Sequence, residues 1–165
     1  MKITALEEYG LRCLLRVAES GESAPVSAST IAEQEGLSLP YAQKLLRHLS
    51  EADLVASRRG PNGGYYLDRS PESISLGEVL RELGGLLELE EFCDTHTGNL
   101  DTCAHACSCS IRPVWAHVSA FLMETLDRVP LDVLTGEEEE VEEYLSRLEV
   151  EPADSAADSV SPVAQ

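Results

Sequence analysis

The stretch Leu54-Val55-Ala56-Ser57-Arg58-Arg59-Gly60-Pro61-Asn62-Gly63-Gly64-Tyr65-Tyr66-Leu67 decides the fold. Its first six residues read as a strand, residues 60–64 as a turn, and Tyr65-Tyr66-Leu67 as the returning strand. The product is a hairpin with two arginines, Arg58 and Arg59, at its base and a glycine-rich tip able to approach a backbone closely. A hairpin alone is common. Its meaning comes from what precedes it.

Three helices are predicted upstream. Leu6, Gly10, Cys13, Leu14 and Val17 recur at helical spacing, giving a first helix over roughly residues 3–20 that Gly21 closes. Ser27 caps a second helix with Ile31 and Ala32 inward, and it stops at Gly36, a residue able to take the left-handed conformation of a tight turn. Ser38 caps a third, with Pro40 in its first turn, where a missing N–H costs little. Leu39, Ala42, Leu45, Leu46 and Leu49 form its buried stripe. Helix, short glycine turn, helix is the helix-turn-helix plan, whose second helix enters the major groove of duplex DNA. Opposite the leucines stand Pro40, Tyr41, Gln43, Lys44, Arg47 and His48. Gln can read adenine bidentately, and Lys, Arg and Tyr can contact phosphates or bases. A hairpin after such a unit is a wing, and wing arginines suit the negative potential of the adjacent minor groove. Tyr41, Gln43, Lys44, Arg47, Arg58 and Arg59 are therefore the candidate DNA-binding residues.

Charge patterning is compatible with this. The chain has 165 residues with 12 basic and 30 acidic side chains, a net charge of −18. Residues 1–70 hold eight basic and nine acidic groups, whereas residues 71–165 hold four and twenty-one. A polyanion must approach the first half, since the second repels it. Ten of the twelve basic residues are Arg, and Lys depletion with acid excess is a composition of salt-adapted cytoplasms. Apolar runs of only a few residues exclude a transmembrane helix, and Glu7 and Glu8 interrupt any secretory h-region, so a soluble, cytoplasmic protein is expected. No phosphate-binding glycine loop, nucleophile elbow or zinc-hydrolase motif occurs, so no enzymatic activity is expected.

Downstream, Ser75 to Glu78 reads as a capping box opening a short helix with Leu76, Val79, Leu80 and Leu83 inward. Residues 93–110 then lose periodicity and gather Cys93, Cys103, Cys107 and Cys109, with His96 and His105. Clustered cytosolic thiols point to metal rather than a disulfide. The C-x9-C-x3-C-x-C spacing lacks the paired knuckles of zinc ribbons, so iron–sulfur ligation, a zinc site and an unmetallated redox dithiol all stay open. Cys13, alone on the first helix, reads as a small buried apolar residue. Val114, Trp115, Val118, Phe121, Leu122 and Leu126 form an apolar stripe too wide for one small subunit to bury. Trp115, Val118, Phe121 and Leu122 are accordingly expected at a contact with a second copy. Thr135 to Glu138 reads as another capping box, and residues 149–165 as a disordered tail.

Several of these segments resemble one family. The opening Met-Lys-Ile-Thr, Gly36-Leu-Ser-Leu-Pro-Tyr41, the hairpin, Ile74-Ser-Leu-Gly-Glu-Val79, Ile111-Arg-Pro-Val-Trp115 and Val129-Pro-Leu-Asp-Val-Leu134 resemble the bacterial IscR/NsrR/RirA regulators (the "Rrf-two" family) over roughly residues 1–135. The resemblance implies a homodimeric winged-helix protein that binds operator DNA and senses iron, nitric oxide or redox state through an iron–sulfur cluster, 2Fe-2S or 4Fe-4S. It implies Cys93, Cys103 and Cys109 as ligands, although the gap from Cys93 to Cys103 is longer than the family's usual one. Arg112, which cannot ligate, stands where one subgroup has a histidine; Glu8 falls where another has a carboxylate. Cys107 or Glu8 would then complete the set. The expected architecture is mostly α with a small β-hairpin wing. A winged helix-turn-helix over 1–83 precedes a cysteine-rich metal-binding loop over 84–110, a long C-terminal dimerisation helix and an acidic helix over 111–148, and the tail. The same fold with a zinc site or a cluster-free thiol switch is the alternative. A thiol redox protein is a remote one, since it would need a C-x-x-C at a helix start.

Overall fold

The computed structural model describes residues 3–21, 25–60, 63–84, 97, 99–106 and 108–148. Cys93, Cys107, the wing tip at Pro61 and Asn62, and the tail expected over 149–165 lie outside the described residues.

Helix α1 spans Ala5–Glu19, and a reciprocal cap starts it: Glu7 N–H donates to Thr4 Oγ1 at 3.3 Å and Thr4 N–H donates to Glu7 Oε2 at 2.6 Å. This is the reciprocal Thr-x-x-Glu capping box, which the apolar spacing used to place the first helix does not show. It also accounts for the buried Glu7, whose carboxylate has a partner. Helix α2 covers Ala28–Gln34, and its cap Ser27 accepts from Thr30 N–H at 3.1 Å. Gly36 turns the chain at φ +65°, and α3 runs Leu39–Glu51 with Pro40 in its first turn.

Ala42, Leu45, Leu46 and Leu49 of α3 are wholly buried. Leu39, expected in that stripe, is instead 42% exposed. A first-turn side chain tilts toward the helix N-terminus and lies over the preceding turn, beyond the reach of the core.

Leu54 and Val55 are buried before the ladder begins, so the first strand, β1, is shorter than expected at Ala56–Arg58. It pairs antiparallel with β2, Gly64–Tyr66, placing Ser57 opposite Tyr65 and Arg58 opposite Gly64, so Arg58 and Arg59 stand beside the turn and not at the hairpin's base as expected. Val26 bridges to the other edge of β2, donating to Tyr65 O at 2.9 Å and accepting from Tyr65 N–H at 2.8 Å. A Cβ at Gly64 would overlap the Val26 carbonyl, so this wing glycine serves a close approach of the protein's own backbone.

After a single 3-10 turn at Pro71–Ser73, α4 occupies Leu76–Glu82, α5 Arg112–Asp127 and α6 Glu138–Arg147. Ser75 caps α4 by accepting from Glu78 N–H at 3.1 Å, but the Glu78 carboxylate pairs with Arg69, so only half of the expected box forms. The cap of α6 is Glu137, reciprocal with Glu140, rather than Thr135. Thr135 instead ends a 3-10 turn, its hydroxyl donating to Asp132 O at 2.7 Å, and so lies two residues ahead of the cap position.

The core joins α1, α2, α3, the hairpin and α4 through Leu14, Ile31, Leu45, Leu46, Leu54, Ile74, Val79 and Leu83, with Leu131 closing it. Helix α5 contributes none of its residues to the fully buried set. Its apolar stripe divides. Leu122 and Leu126 are half-buried and line a cleft with Leu76 and Leu80, whereas Val114, Trp115, Val118 and Phe121 face outward, with 57%, 40%, 42% and 39% exposure.

One close joint fixes α5 on α4. Arg81 pairs with Asp127, the Ser75 hydroxyl donates to Asp127 Oδ1 at 3.4 Å, and Leu76 N–H donates to Val129 O at 2.7 Å. Gly77 permits it, because a Cβ there would overlap the Asp127 carboxylate and crowd its backbone N at 2.9 Å. Gly77→Ala should therefore destabilise the fold by about 1–3 kcal/mol despite alanine's better helix propensity. Thermal unfolding checks this, and a variant as stable as the parent would contradict the close approach.

Candidate nucleic-acid interface and cysteine site

Burial of the leucine stripe aims the other side of α3 outward. Gln43, Lys44 and Arg47 are exposed there, and with Pro40 and Ser50 they form one wall of a cleft of about 470 Å³. Ser57 and Tyr65 of the hairpin form the other wall. Thus the structure brings three of the expected contact residues together with the wing. The cleft also holds three residues that the sequence reading missed. Ser50 was legible, lying three residues after Arg47 on the same helical face. Ser57 and Tyr65 are cross-strand partners whose facing depends on register, and strands this short leave register to tertiary contacts.

Arg58 and Arg59 are exposed, with the Arg58 guanidinium 5.5 Å from the centre of the Tyr66 ring. That cation–π contact narrows its rotamers and points it along the wing. Tyr41 differs from its neighbours. It is half-buried, its hydroxyl donates to Ala5 O at 3.4 Å, and its ring stands edge-on to Tyr9 at 6.1 Å. It pins the start of α3 to α1 and leaves only its edge for a ligand. No described carboxylate forms an ion pair with Lys44, Arg47, Arg58 or Arg59. A cationic face free of internal counter-ions suits a polyanion.

Cys103 and Cys109 are half-buried free thiols, and Cys109 stands three residues before α5. The backbone N–H of Arg112 and then of Ile111 reach its sulfur and hold the thiol below its usual range, with a further contribution from the Arg112 charge. This is how a helix start favours a thiolate. Arg112 also donates to Ala106 O at 3.2 Å, tying the loop to the helix. Cys13 is the opposite case, its thiol pushed up to about 11 by burial and then by the Glu35 charge.

Glu8 is paired with Arg12 at 2.6 Å and lies on the cleft that Leu122 and Leu126 line. Ten residues of helix separate Leu122 from Arg112, about 15 Å at 1.5 Å per residue. Within one chain, then, Glu8 does not join Cys109. Among the described residues no three His, Cys, Asp or Glu side chains gather to hold a metal ion. The donor chemistry of Cys103 and Cys109 fits iron or zinc, while Cys93 and Cys107 lie outside the described residues.

A helix-turn-helix with a cationic outer face and an arginine-bearing wing defines the class of winged-helix DNA-binding proteins. Comparison with known proteins narrows the class: the Rrf2 family, described as an iron-dependent transcriptional regulator, matches residues 3–137. The chain belongs to the Rrf2 family of transcriptional regulators. It is 33% identical over 131 residues to protein Rrf2 of Nitratidesulfovibrio vulgaris Hildenborough, covering 79% of this chain and 85% of that one. It superposes on T. potens IscR with a TM-score of 0.61 and 32% identity, covering 80% of this chain and 84% of that one. An oxidized form of Staphylococcus aureus CymR superposes with a TM-score of 0.62 and 28% identity, covering 83% and 98% respectively. No helix among the described residues is long and apolar enough to cross a membrane.

The two thiol environments have a measurable consequence. In reduced, metal-free protein, iodoacetamide alkylation followed peptide by peptide should reach half its limiting rate for Cys109 at a pH below the usual thiol value of about 8.5. Cys13 should stay unreactive until far above it. Coincident profiles would contradict the N–H contacts at Cys109.

Proposed function

We propose that the protein is a homodimeric regulator that binds a pseudo-palindromic DNA duplex. Gln43, Lys44 and Arg47 enter the major groove with Tyr41 at their edge, while Arg58 and Arg59 approach the adjacent minor groove. The observation that carries this reading is the single cleft shared by the polar face of α3 and the hairpin. One surface can therefore engage a groove and the neighbouring backbone together. The outward apolar face of α5 supports a second copy, because Val114, Val118 and Phe121 leave 57%, 42% and 39% of their surface exposed among the described residues, with Trp115 beside them at 40%. In this division of labour residues 1–83 bind DNA, 84–110 sense and 111–148 dimerise.

Operator affinity would respond to an iron–sulfur cluster held by Cys93, Cys103 and Cys109 with Cys107 or Glu8 as fourth ligand. Such a cluster supplies redox and nitric-oxide sensitivity through its iron. The chain supplies thiolates, and the N–H groups before α5 favour the thiolate of Cys109. If Glu8 is the fourth ligand, the intrachain separation requires that it come from the second subunit. A cluster-free thiol switch is the second reading, favoured by the same depressed Cys109 thiol and by the similarity to a CymR that is known in an oxidized form.

Two experiments test these readings. Arg59→Ala should weaken binding to the operator duplex by about 1–3 kcal/mol, measured by fluorescence anisotropy. Undiminished affinity would remove the wing from the interface. After anaerobic reconstitution, iron, sulfide and visible absorbance should fall in Glu8→Ala or in Cys107→Ala, whichever residue is the fourth ligand. A parent protein that never holds iron removes the cluster: zinc in its place gives the metal-site alternative, and no metal gives the thiol switch.

A further inference from the structure

A side-chain hydrogen bond stands where the DNA-facing helix meets α4, the helix on which α5 is fixed. His48, half-buried on α3, brings Nε2 to 2.8 Å from the carbonyl oxygen of Glu82. A carbonyl can only accept, so the ring must carry its proton on Nε2 and donate it. Glu82 is the last residue of α4, where helix carbonyls lack intrahelical partners, and Leu83 N–H and Gly84 N–H go to Val79 O and Arg81 O instead. His48 therefore supplies the end of α4 with a directional bond that apolar packing does not.

On its other side, His48 adjoins the DNA-facing surface. It shares a cavity of about 240 Å³ with Lys44, Arg47 and Tyr41, and Lys44 lies one turn before it. Helix α4 is in turn fixed to α5 by Asp127 against Arg81, Ser75 and Gly77. Helix α5 begins three residues after Cys109. The described residues thus form a continuous line from Cys109 along α5, through Asp127 to α4, through the Glu82 carbonyl to His48, and into α3.

We infer that His48 is the positioning residue through which a change at the Cys109 end of α5 alters the placement of Gln43, Lys44 and Arg47. The inference rests on the reading of α3 as the DNA-facing helix and of the cysteine region as the responsive part. Physically, a shift of α5 carries Asp127 and therefore α4 with it. The displaced Glu82 carbonyl either pulls the His48 ring or leaves it unpaired, and both favour one placement of α3 over another. A difference in free energy between two arrangements is what coupling requires.

The test uses the full chain, reduced and metal-free, with iodoacetamide alkylation of its accessible thiols as the perturbation. Cys13, wholly buried, is spared. In the parent, alkylation should change duplex affinity by about five-fold or more, and move the amide resonances of Gln43, Lys44 and Arg47. His48→Phe, which keeps a flat ring but no donor, should lose most of both effects. His48→Gln, whose amide can donate to the same carbonyl, should restore them; a merely structural role for the ring would not be rescued by an unringed donor. Asp127→Asn interrupts the line one joint earlier and should also damp the response, which keeps the test decisive if the ring variant folds poorly. Responses in His48→Phe or Asp127→Asn equal to the parent's, or no response in the parent, overturn the inference. The two readings separate cleanly. Iron loading that changes affinity equally with and without His48 removes this inference and leaves the cluster, whereas a His48-dependent thiol response in a chain that never holds iron removes the cluster alone.

Discussion

The complete burial of Leu45, Leu46 and Leu49 is the constraint on which the rest of the structure depends. These side chains stand on one face of α3, and withdrawing all three from water stabilises the fold by several kcal/mol, at about 1.5–3 kcal/mol for each aliphatic side chain. Nothing on the opposite face competes with that term. The helix cannot roll without exposing leucine, so Gln43, Lys44 and Arg47 must point outward at a fixed angle. The hairpin is set against the same core by Leu54, Val55 and Leu67, and its register is pinned by Val26 and Gly64. Helix and wing therefore hold one cleft between them as a consequence of packing.

The charge of the chain follows the same division. A protein of net charge −18 is an unexpected ligand for a polyanion, yet the basic residues that matter are local. Lys44 and Arg47 line the cleft and Arg58 and Arg59 stand exposed on the hairpin, while several described carboxylates pair elsewhere: Glu8 with Arg12, Glu35 with Arg16, Glu78 with Arg69 and Asp127 with Arg81. The Glu8–Arg12 pair lies within α1, whereas Asp127–Arg81 joins two helices at the surface, where such a pair is worth little alone. Their use is positional. Asp127 fixes α5 to α4, and the acid excess beyond residue 70 leaves a duplex one favourable approach.

Much of this was legible in the sequence because it is local. Helical spacing gave α1 to α4, Gly36 gave the turn, and the glycine-rich hairpin after three helices gave the wing. Gln43, Lys44 and Arg47 follow from the leucine period alone. Features set by tertiary contact were not legible. Leu39 reads as core by spacing but faces water because it lies in the first turn. Thr135 fits a capping pattern, yet it ends a 3-10 turn two residues ahead of the helix entry, and Glu137 takes its place. Tyr41 looks like its neighbours until α1 packs beside it. The roles of Gly64 and Gly77 depend on Val26 and Asp127, which are distant in the chain and close in space. For the cysteine site, spacing supplies candidate donors but not their assembly. The separation of Glu8 from Cys109 along α5 becomes apparent only once the helix is placed.

The central claim is that two copies of the α3 face, held together by the outward stripe of α5, read DNA as a pair. Selection of random-sequence duplexes on the full chain tests it most directly. The enriched duplexes should carry an inverted repeat whose half-sites lie about 10–10.5 base pairs apart, or a multiple of that, as two-fold symmetry of paired helices demands. Recovery of a lone, unrepeated half-site, or of no enriched sequence at all, would contradict the account.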